Sequence, residues 1–349
     1  MAVEITGVVR ETPALPVGRT RTSNIFRKLR RWPIIPTFLL STVVLAGIFA
    51  PLLAPHNPER GNLNDRHIPP AWIGAKTAPK IVVQRVTISG RTTEVSLKDA
   101  QLVDPNAQLG DQVDAVIRRG GSTKFLLGTD QLGRDILSRV IYGARISLLV
   151  AVVTLGIGGT FGVILGLAAG WYGKVVDEII MRSVDIKLSI PLILIALVLV
   201  ITLGSSLAII VAVLVIFIWP RFARQVRGEV LLLKKMDYVA LAKVSGASTL
   251  RILFIHIFPG TINTLIIVAT LQVGIVILLE STLSFLGAGV PPPTPAWGSM
   301  VAEGRDKLAG GIWWSTAFPG LAITLTVMSL NLFGDWLRDT LDPRLRQME

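Results

Sequence analysis

Long apolar runs with one charged residue or none alternate with short charged stretches along most of the chain. Runs of this kind are typical of helices that cross a lipid bilayer, since each crossing needs about 20 apolar residues. Four of them are bounded by Arg31–His56, Arg145–Lys174, Pro259–Phe285 and Leu308–Gly334. Each of these four runs predicts one membrane-spanning helix.

The remaining apolar run, Leu188–Pro220, is too long for a single span. As one helix it would extend about 50 Å, whereas the hydrocarbon core of a bilayer is about 30 Å thick. Gly204-Ser205-Ser206 in its middle is typical of a turn and divides the run into two spans, the first of which starts near Ile179. The pattern therefore predicts six transmembrane helices in an all-α polytopic membrane protein.

The distribution of basic residues predicts the orientation of these spans, since lysine and arginine concentrate in cytoplasmic loops. The segment between spans four and five carries seven basic residues against Glu229 and Asp237, and the link between spans three and four carries no charge. The basic residues near the predicted inner surface are Arg27, Lys28, Arg30, Arg31, Arg221, Arg224, Arg227, Lys234, Lys235, Lys243 and Arg251. Both termini and the 221–259 segment are thus expected in the cytoplasm.

This orientation divides the chain into five parts. Residues 1–33 form a cytoplasmic tail, 34–54 the first transmembrane helix, and 55–140 an extracytoplasmic segment. Residues 141–336 hold the other five helices, and 337–349 form a second cytoplasmic tail. Within the extracytoplasmic segment, residues 80–97 are rich in β-branched side chains around Ser89-Gly90, which predicts a small hairpin. This partly β element is either a solvated insertion or a binding element.

Composition narrows the class of protein further. Hydrophobic residues make up 51% of the chain and charged residues 17%, below the roughly 25% of a soluble domain. The net charge of +12 lies at the ends of apolar runs and not in basic-aromatic stretches, so nucleic acid is not an expected partner. The chain has no cysteine, which excludes disulfides and thiolate chemistry. The first apolar run lacks a small-residue cleavage site, so we expect a retained helix and not a signal peptide.

Two features inside the spans are candidates for special roles. Gly158, Gly162, Gly166 and Gly170 recur every four residues and fall on one stripe of a helix, where another backbone can approach closely. Helix packing explains this stripe, and a pore-lining role is the alternative. Glu280 is the ionisable residue nearest to the middle of a span. Its role is either structural, in an ion pair or a helix cap, or functional, on the translocation path.

A short basic helix is predicted between spans four and five. Asp237 is the expected N-cap and Gly246 the expected terminator, while Ser248 caps a second helix that ends before Pro259. A helix of about two turns is not stable alone in water, so it must pack on something. It packs either on its own bundle or on a partner protein.

The stretch Tyr238–Pro259 resembles the cytoplasmic loop of ATP-binding-cassette (ABC) importer permeases, whose pattern is Glu-Ala-Ala, a glycine after three intervening residues, and a proline thirteen positions beyond that glycine. Gly246, Pro259 and Ala242 match the pattern. Ala240 and Leu241 depart from it, which removes any salt bridge of the family glutamate. The stretches 127–148, 280–298 and 331–344 are similar to the second, C-type permease of dipeptide, oligopeptide and nickel importers. Residues 73–124 have no counterpart and are interpreted as an insertion.

This resemblance implies a type I ABC importer permease in a bacterial inner membrane. Its partners would be a second permease in a heterodimer, two ATPase subunits, an extracytoplasmic substrate-binding protein and membrane lipid. The chain has no phosphate-binding loop, so ATP and magnesium would bind to the ATPases, and this subunit would be no enzyme. The residues that the resemblance assigns to ATPase docking are Asp237, Tyr238, Ala240, Leu241, Ala242, Gly246, Ala247, Arg251 and Pro259.

Other functions were weighed against this one. An ion-coupled secondary transporter is expected to place polar groups at mid-membrane, and four of the six spans have almost none. A membrane hydrolase needs a motif such as H-E-x-x-H or G-x-S-x-G, and neither occurs. His56, His67 and His256 show no spacing typical of metal ligands. The substrate stays open between peptides, nickel and other small solutes.

Overall fold

A computed structural model describes residues 33–83, 94–96, 100–101 and 104–341 of the chain. The described part is mostly helical. Its helices are α1 Ile34–Ile48, α2 Ala50–Leu53, α3 Ile136–Tyr172, α4 Lys174–Ser189, α5 Leu192–Leu203, α6 Leu207–Leu233, α7 Asp237–Val244, α8 Thr249–Phe285, α9 Trp297–Arg305 and α10 Trp314–Leu341. Short 3₁₀ turns cover Leu63–Asp65 and Leu308–Gly310.

Four of these helices, α3, α6, α8 and α10, are long and apolar enough to cross a membrane. The α4–α5 pair meets the same test as one broken span, and α1 is a shorter apolar helix at the position of the first predicted span. Ser206 caps α6 by accepting a hydrogen bond from Ile209 N, which confirms the predicted division of the long run at Gly204-Ser205-Ser206. The predicted all-α polytopic fold is confirmed.

The third span differs from the prediction in having a sharp bend. The predicted start near Ile179 falls inside α4, but α4 and α5 meet at an angle of 83°. Ile190 has an extended backbone and Pro191 follows it. Proline has no amide hydrogen and disfavours helical backbone at the preceding residue, so the helix stops there. The bend at Pro191 was not predicted from the sequence.

The predicted end of a helix before Pro259 was wrong, since α8 runs through this proline. The residues just before it, Ile252–Ile257, form a π-helical segment. The wider π turn allows the helix to pass a residue that has no amide hydrogen and whose ring would clash in a regular α-helix. Similarly, α6 continues past Pro220 to Leu233. The loop between the fourth and fifth spans therefore consists mainly of α7.

Residues 73–124 hold a three-stranded sheet in the order β2-β1-β3, with β1 Lys76–Val83, β2 Glu94–Ser96 and β3 Gln112–Arg118. Strand β1 is antiparallel to β3 and parallel to β2. The predicted hairpin within 80–97 was therefore wrong, because a tight turn joins only antiparallel strands. Ser89 and Gly90 lie outside the described residues. Val82, Val95, Ala100 and Ala107 form a small separate core.

Candidate functional site

The helix α7 joins α6 to α8 through two short connections, and it begins with Asp237. Met236 is the N-cap residue, with an extended backbone and no side-chain hydrogen bond to the helix. The predicted capping role of Asp237 was therefore wrong. Asp237 is instead the first helical residue, where its negative charge is favourable near the positive end of the helix dipole.

The end of α7 is formed by Gly246. Ser245 is the C-cap, and Gly246 follows it with a φ of +78°, in the left-handed region that glycine adopts without strain. The Gly246 amide donates to the carbonyl of Lys243 at 3.0 Å, and the Ala247 amide donates to that of Ala242 at 3.0 Å. These two bonds define a Schellman motif, which confirms Gly246 as the helix terminator.

The next helix starts immediately after this motif. The Ser248 side chain accepts a hydrogen bond from the backbone amide of Arg251 at 3.4 Å, which confirms Ser248 as the cap of α8. The turn that follows α7 is therefore only four residues long, Ser245–Ser248.

One face of α7 is buried against the helix bundle. Val239 has no exposed surface, and Ala242 and Ala247 are partly buried beside it. The residues of the cluster that receives them are Leu167, Val226, Val230, Ile252, Leu253 and Ile257, from α3, α6 and α8. This burial explains how a helix of eight residues, marginal in water by itself, is held in place.

Two lysines attach the α7 region to the carboxyl end of α3. Lys234 donates to the carbonyl oxygens of Gly170 and Trp171, at 2.9 and 3.4 Å. Lys243, on α7 itself, lies over the indole ring of Trp171 with its ammonium 4.5 Å from the ring centre. Cations are stabilised both at the negative end of a helix dipole and over an aromatic face. α7 therefore contacts three long helices.

The opposite face of α7 is exposed and apolar. Leu241 is 66% exposed and Val244 is 88% exposed, and Tyr238 lies beside them. Ala240 and Gly246 are exposed as well, as is Arg251 at the start of α8. Contiguous exposed apolar side chains on a rigid element are typical of a protein–protein contact. Of the predicted docking residues, Ala242 and Ala247 instead face the bundle, and Pro259 lies inside α8.

The glycine stripe of α3 packs against α6. A Cβ added at Gly166 would lie 2.7 Å from the Ala223 carbonyl oxygen, and one at Gly170 would lie 2.6 Å from Val230 Cβ. Gly158 and Gly162 face Ile218 and Trp219 in the same way. Distances this short leave no space for any side chain, so the stripe allows the two helices to approach closely. The geometry supports helix packing over a pore-lining role.

Glu280 lies inside the bundle and has no exposed surface. The Ser284 hydroxyl, one helical turn away, donates to one of its carboxyl oxygens at 2.7 Å, and the Ser281 hydroxyl lies 3.4 Å from the other. No basic side chain pairs with Glu280 in the described part of the chain. Hydrogen bonds from serines on its own helix therefore satisfy this carboxyl, without the ion pair that was one alternative.

A buried ionic network between the start of α3 and α9 was not predicted. Arg134 donates to Asp130 and to Glu303, both at 2.6 Å, and Arg139 donates to the same two carboxylates. Burial raises the pKa of Asp130, but the guanidinium groups of Arg139 and Arg134 outweigh it and hold that pKa below its usual range. The network joins the start of α3 to α9, which lies more than 160 residues later in the chain.

The spacing of Asp130, Arg134 and Arg139 was the only local signal of this network, and it gave no indication that Glu303 would complete it. No group of three or more metal-ligating side chains occurs in the ranges that the structure describes. The prediction that this chain binds no metal or cofactor stays a prediction.

Residues 162–347 match the family model described as "Binding-protein-dependent transport system inner membrane component". The chain is 36% identical to the "Di/tripeptide transport system permease protein DppC" of Pseudomonas aeruginosa over 304 residues, covering 87% of this chain and 85% of the relative. It is 36% identical to the "Dipeptide transport system permease protein DppC" of Haemophilus influenzae, covering 92% and 93%. It is 43% identical to the "Glutathione transport system permease protein GsiD" of Pectobacterium atrosepticum, covering 66% and 76%.

Among solved structures, the chain is similar to an inward-facing MetNI methionine ABC transporter. The identity is 18% and the TM-score 0.46, over 59% of this chain and 98% of the matched chain.

Proposed function

Because the chain belongs to the binding-protein-dependent transport system inner membrane component family, we propose that it forms half of the translocation path of an ABC importer for di- or oligopeptides. ATP is hydrolysed by partner ATPase subunits that dock on α7. The observation that carries this proposal is the division of α7 into a face fixed by the bundle and a face of exposed apolar side chains.

In this proposal α7 transmits the motion of the ATPases to the helix bundle. The connections Lys234–Met236 and Ser245–Ser248 are short, and Val239 is enclosed by α3, α6 and α8. When the ATPases close, α7 moves as a rigid body and tilts these three helices together, which switches access between the two sides of the membrane. The subunit itself transmits the motion and performs no chemistry.

The assembly that this mechanism requires has three further membrane-associated subunits and a substrate-binding protein. A second permease forms the other half of the path, and two ATPases carry ATP and magnesium. An extracytoplasmic binding protein delivers the substrate, and both termini of this inner-membrane chain lie in the cytoplasm. The similarity to permeases named for the transport of dipeptides, tripeptides and glutathione supports a peptide substrate for this chain.

A polar cleft between α6, α8 and α10 is the best candidate for part of the path. Its volume is about 550 Å³, and its polar lining comes from Gln225, Glu229, Asn263, Thr264 and Arg338. Glu229 accepts a hydrogen bond from the Thr264 hydroxyl at 3.0 Å. A peptide exposes amide groups and charged ends, which this combination of amide, hydroxyl, carboxylate and guanidinium groups can hydrogen-bond. Glu280, which is fully enclosed, is less suited to contact a substrate.

Replacing Leu241 by glutamate tests the docking face. A charge at the centre of an apolar contact should weaken the contact by about 1.4 kcal/mol or more, so at least tenfold less ATPase subunit should co-purify with the chain. The measurement is the ratio of ATPase to permease after affinity purification from membranes.

Leu63→Glu is the matched control. The exposed fraction of Leu63, 63%, is similar to the 66% of Leu241, but Leu63 lies in the extracytoplasmic segment. It should retain the ATPases as well as the unaltered chain does. Full recovery of ATPase with Leu241→Glu, at equal amounts of inserted permease, would contradict the docking role.

A further inference from the structure

A basic pocket lies at the end of α10 that faces the extracytoplasmic segment. Its walls are Arg66, His67, Lys76 and Arg119 on one side and the turn 309–312 with Trp314 on the other. The pocket has a volume of about 650 Å³. Gly310 and Gly311 in the turn have open space where a side chain would be, so the pocket is wide on this side. Nothing in the proposed transport mechanism uses it.

The described part of the chain does not neutralise the positive charges of this pocket. Arg66 Nε donates to the Gln131 carbonyl at 2.8 Å, and Arg119 Nη1 donates to the Asn64 carbonyl at 3.1 Å. These bonds position both guanidinium groups without cancelling their charge. In the described part of the chain, no carboxylate forms an ion pair with Arg66, Lys76 or Arg119.

The surroundings of His67 indicate the same positive potential. Its Nδ1 atom is buried and has no hydrogen-bond partner in the protein. Burial lowers the pKa of His67, and the charges of Arg66 and Lys307 lower it further. Asp130, the carboxylate that acts on His67 in the opposite direction, is held by Arg134 and Arg139. None of the described residues that line the pocket carries a carboxylate.

An aromatic cluster marks the level of the membrane surface next to the pocket. The rings of Trp72 and Phe318 lie 6.1 Å apart, and those of Trp313 and Phe318 lie 5.8 Å apart. Trp72 and Trp313 are exposed. Tryptophan concentrates at the boundary between hydrocarbon and headgroups, and the apolar helix α10 begins here, at Trp314. The pocket thus lies at the depth of lipid headgroups.

We propose that this pocket binds the phosphate of an anionic phospholipid, with the aromatic cluster Trp72, Trp313 and Phe318 against the upper part of its acyl chains. Guanidinium groups bind phosphate oxygens through paired hydrogen bonds, and lysine adds a point charge. A free phosphate ion would satisfy the same charges but would make no use of the aromatic cluster. The bound lipid would hold the β1 strand and the Arg119 segment against the end of α10.

Lipid binding by the purified full-length chain tests this proposal. The chain in detergent is titrated with phosphatidylglycerol, and bound lipid is counted by native mass spectrometry. Each basic residue near an anionic lipid contributes about fivefold in affinity. Lys76→Gln should therefore weaken binding about fivefold, and Lys76→Gln with Arg119→Gln about 25-fold. Arg60→Gln removes one charge from the same segment at an exposed residue outside the pocket, and should change the affinity less than twofold.

Two further probes identify the ligand. Phosphatidylcholine should bind at least tenfold more weakly than phosphatidylglycerol, and millimolar inorganic phosphate should not displace the lipid. Equal binding of phosphatidylglycerol by the double variant and the Arg60→Gln control would overturn the proposal. Displacement by inorganic phosphate alone would also overturn it, in favour of a free anion. Recovery of normal helical circular dichroism by each variant shows that lost binding is not lost folding.

Discussion

At the scale of single residues, the contact between α3 and α6 depends on the absence of side chains. Gly166 lies against the Ala223 carbonyl and Val226, so the backbones of the two helices approach more closely than any other residue would allow. In a membrane, where lipid and side chains are equally apolar, such close packing is a main source of helix association. Gly156 lies on the same helix but faces away from this contact. A Cβ added at Gly156 would have no atom within 4 Å.

This difference predicts opposite effects of one substitution at two glycines of α3. Gly166→Ala places a methyl group 2.7 Å from a carbonyl oxygen and should destabilise the protein by about 1–3 kcal/mol. Gly156→Ala adds a methyl group in open space and should be neutral or stabilising by up to about 1 kcal/mol. Thermal unfolding of the purified proteins in detergent measures both effects. Equal unfolding temperatures for the two variants would show that the stripe is not a tight contact.

The residue scale also shows which side-chain roles a sequence can predict. Gly246 as terminator and Ser248 as cap were predicted correctly, because each role depends on backbone within a few residues. The predicted N-cap position, Asp237, was wrong by one residue. Met236 is the N-cap, with an extended backbone and no side-chain hydrogen bond to the helix. The two serines that contact the Glu280 carboxyl lie on its own helix. Their role was not predictable from the sequence, because it depends on the packing that buries this carboxyl.

At the scale of elements, the ionic network fixes α9 to the start of α3. Four charged groups, two of each sign, meet there, of which Asp130, Arg134 and Arg139 are buried and Glu303 is 19% exposed, and their charges compensate one another. The pair Arg305–Asp306, at the end of α9, is by contrast exposed to solvent on both sides. Enclosed charges that lose a partner are costly, whereas exposed pairs contribute about 0–1 kcal/mol.

Replacing an arginine of each kind tests this difference. Arg139→Met leaves Asp130 and Glu303 with one guanidinium between them and should destabilise the protein by about 3–5 kcal/mol. Arg305→Met, the matched control, should cost less than about 1 kcal/mol. Chemical unfolding of both variants in detergent at neutral pH gives the two values. A loss below 1 kcal/mol for Arg139→Met would mean that the network does not hold α9 in place.

Elements were predictable where one local cause decides them, and unpredictable where two causes compete. Hydropathy gave the long spans because lipid imposes one requirement on each. Prolines show the opposite case: Pro191 ends a helix, whereas Pro259 lies within one because a π segment precedes it. The parallel pairing of β1 with β2 was hidden for a similar reason, since strand propensity carries no information on direction.

At the scale of the whole molecule, the two contact regions proposed above lie at opposite ends of the bundle. The exposed face of α7 lies at one end, and the basic pocket with its aromatic cluster lies near the outer end of α10. The long helices α3, α6 and α8 connect them. Their packing was not predictable beyond the glycine stripe, because helix order around a bundle depends on contacts between residues far apart in sequence, such as Arg139 and Glu303.

The central claim is that α7 couples this chain to ATP hydrolysis, and Gly246→Val tests it most directly. A β-branched residue at a φ of +78° breaks the Schellman motif, and it meets no atom within 4 Å, so the bundle itself is spared. Gly204→Val is the matched control, because Gly204 has a φ of +88° in equally open space but lies in the α5–α6 turn, away from α7.

The measurement is the ATPase activity of the reconstituted importer with and without binding protein and substrate. With Gly246→Val, stimulation by substrate should fall at least tenfold while the chain remains inserted, and with Gly204→Val it should persist. Substrate-stimulated ATPase activity that is unchanged by Gly246→Val would contradict the coupling role of α7.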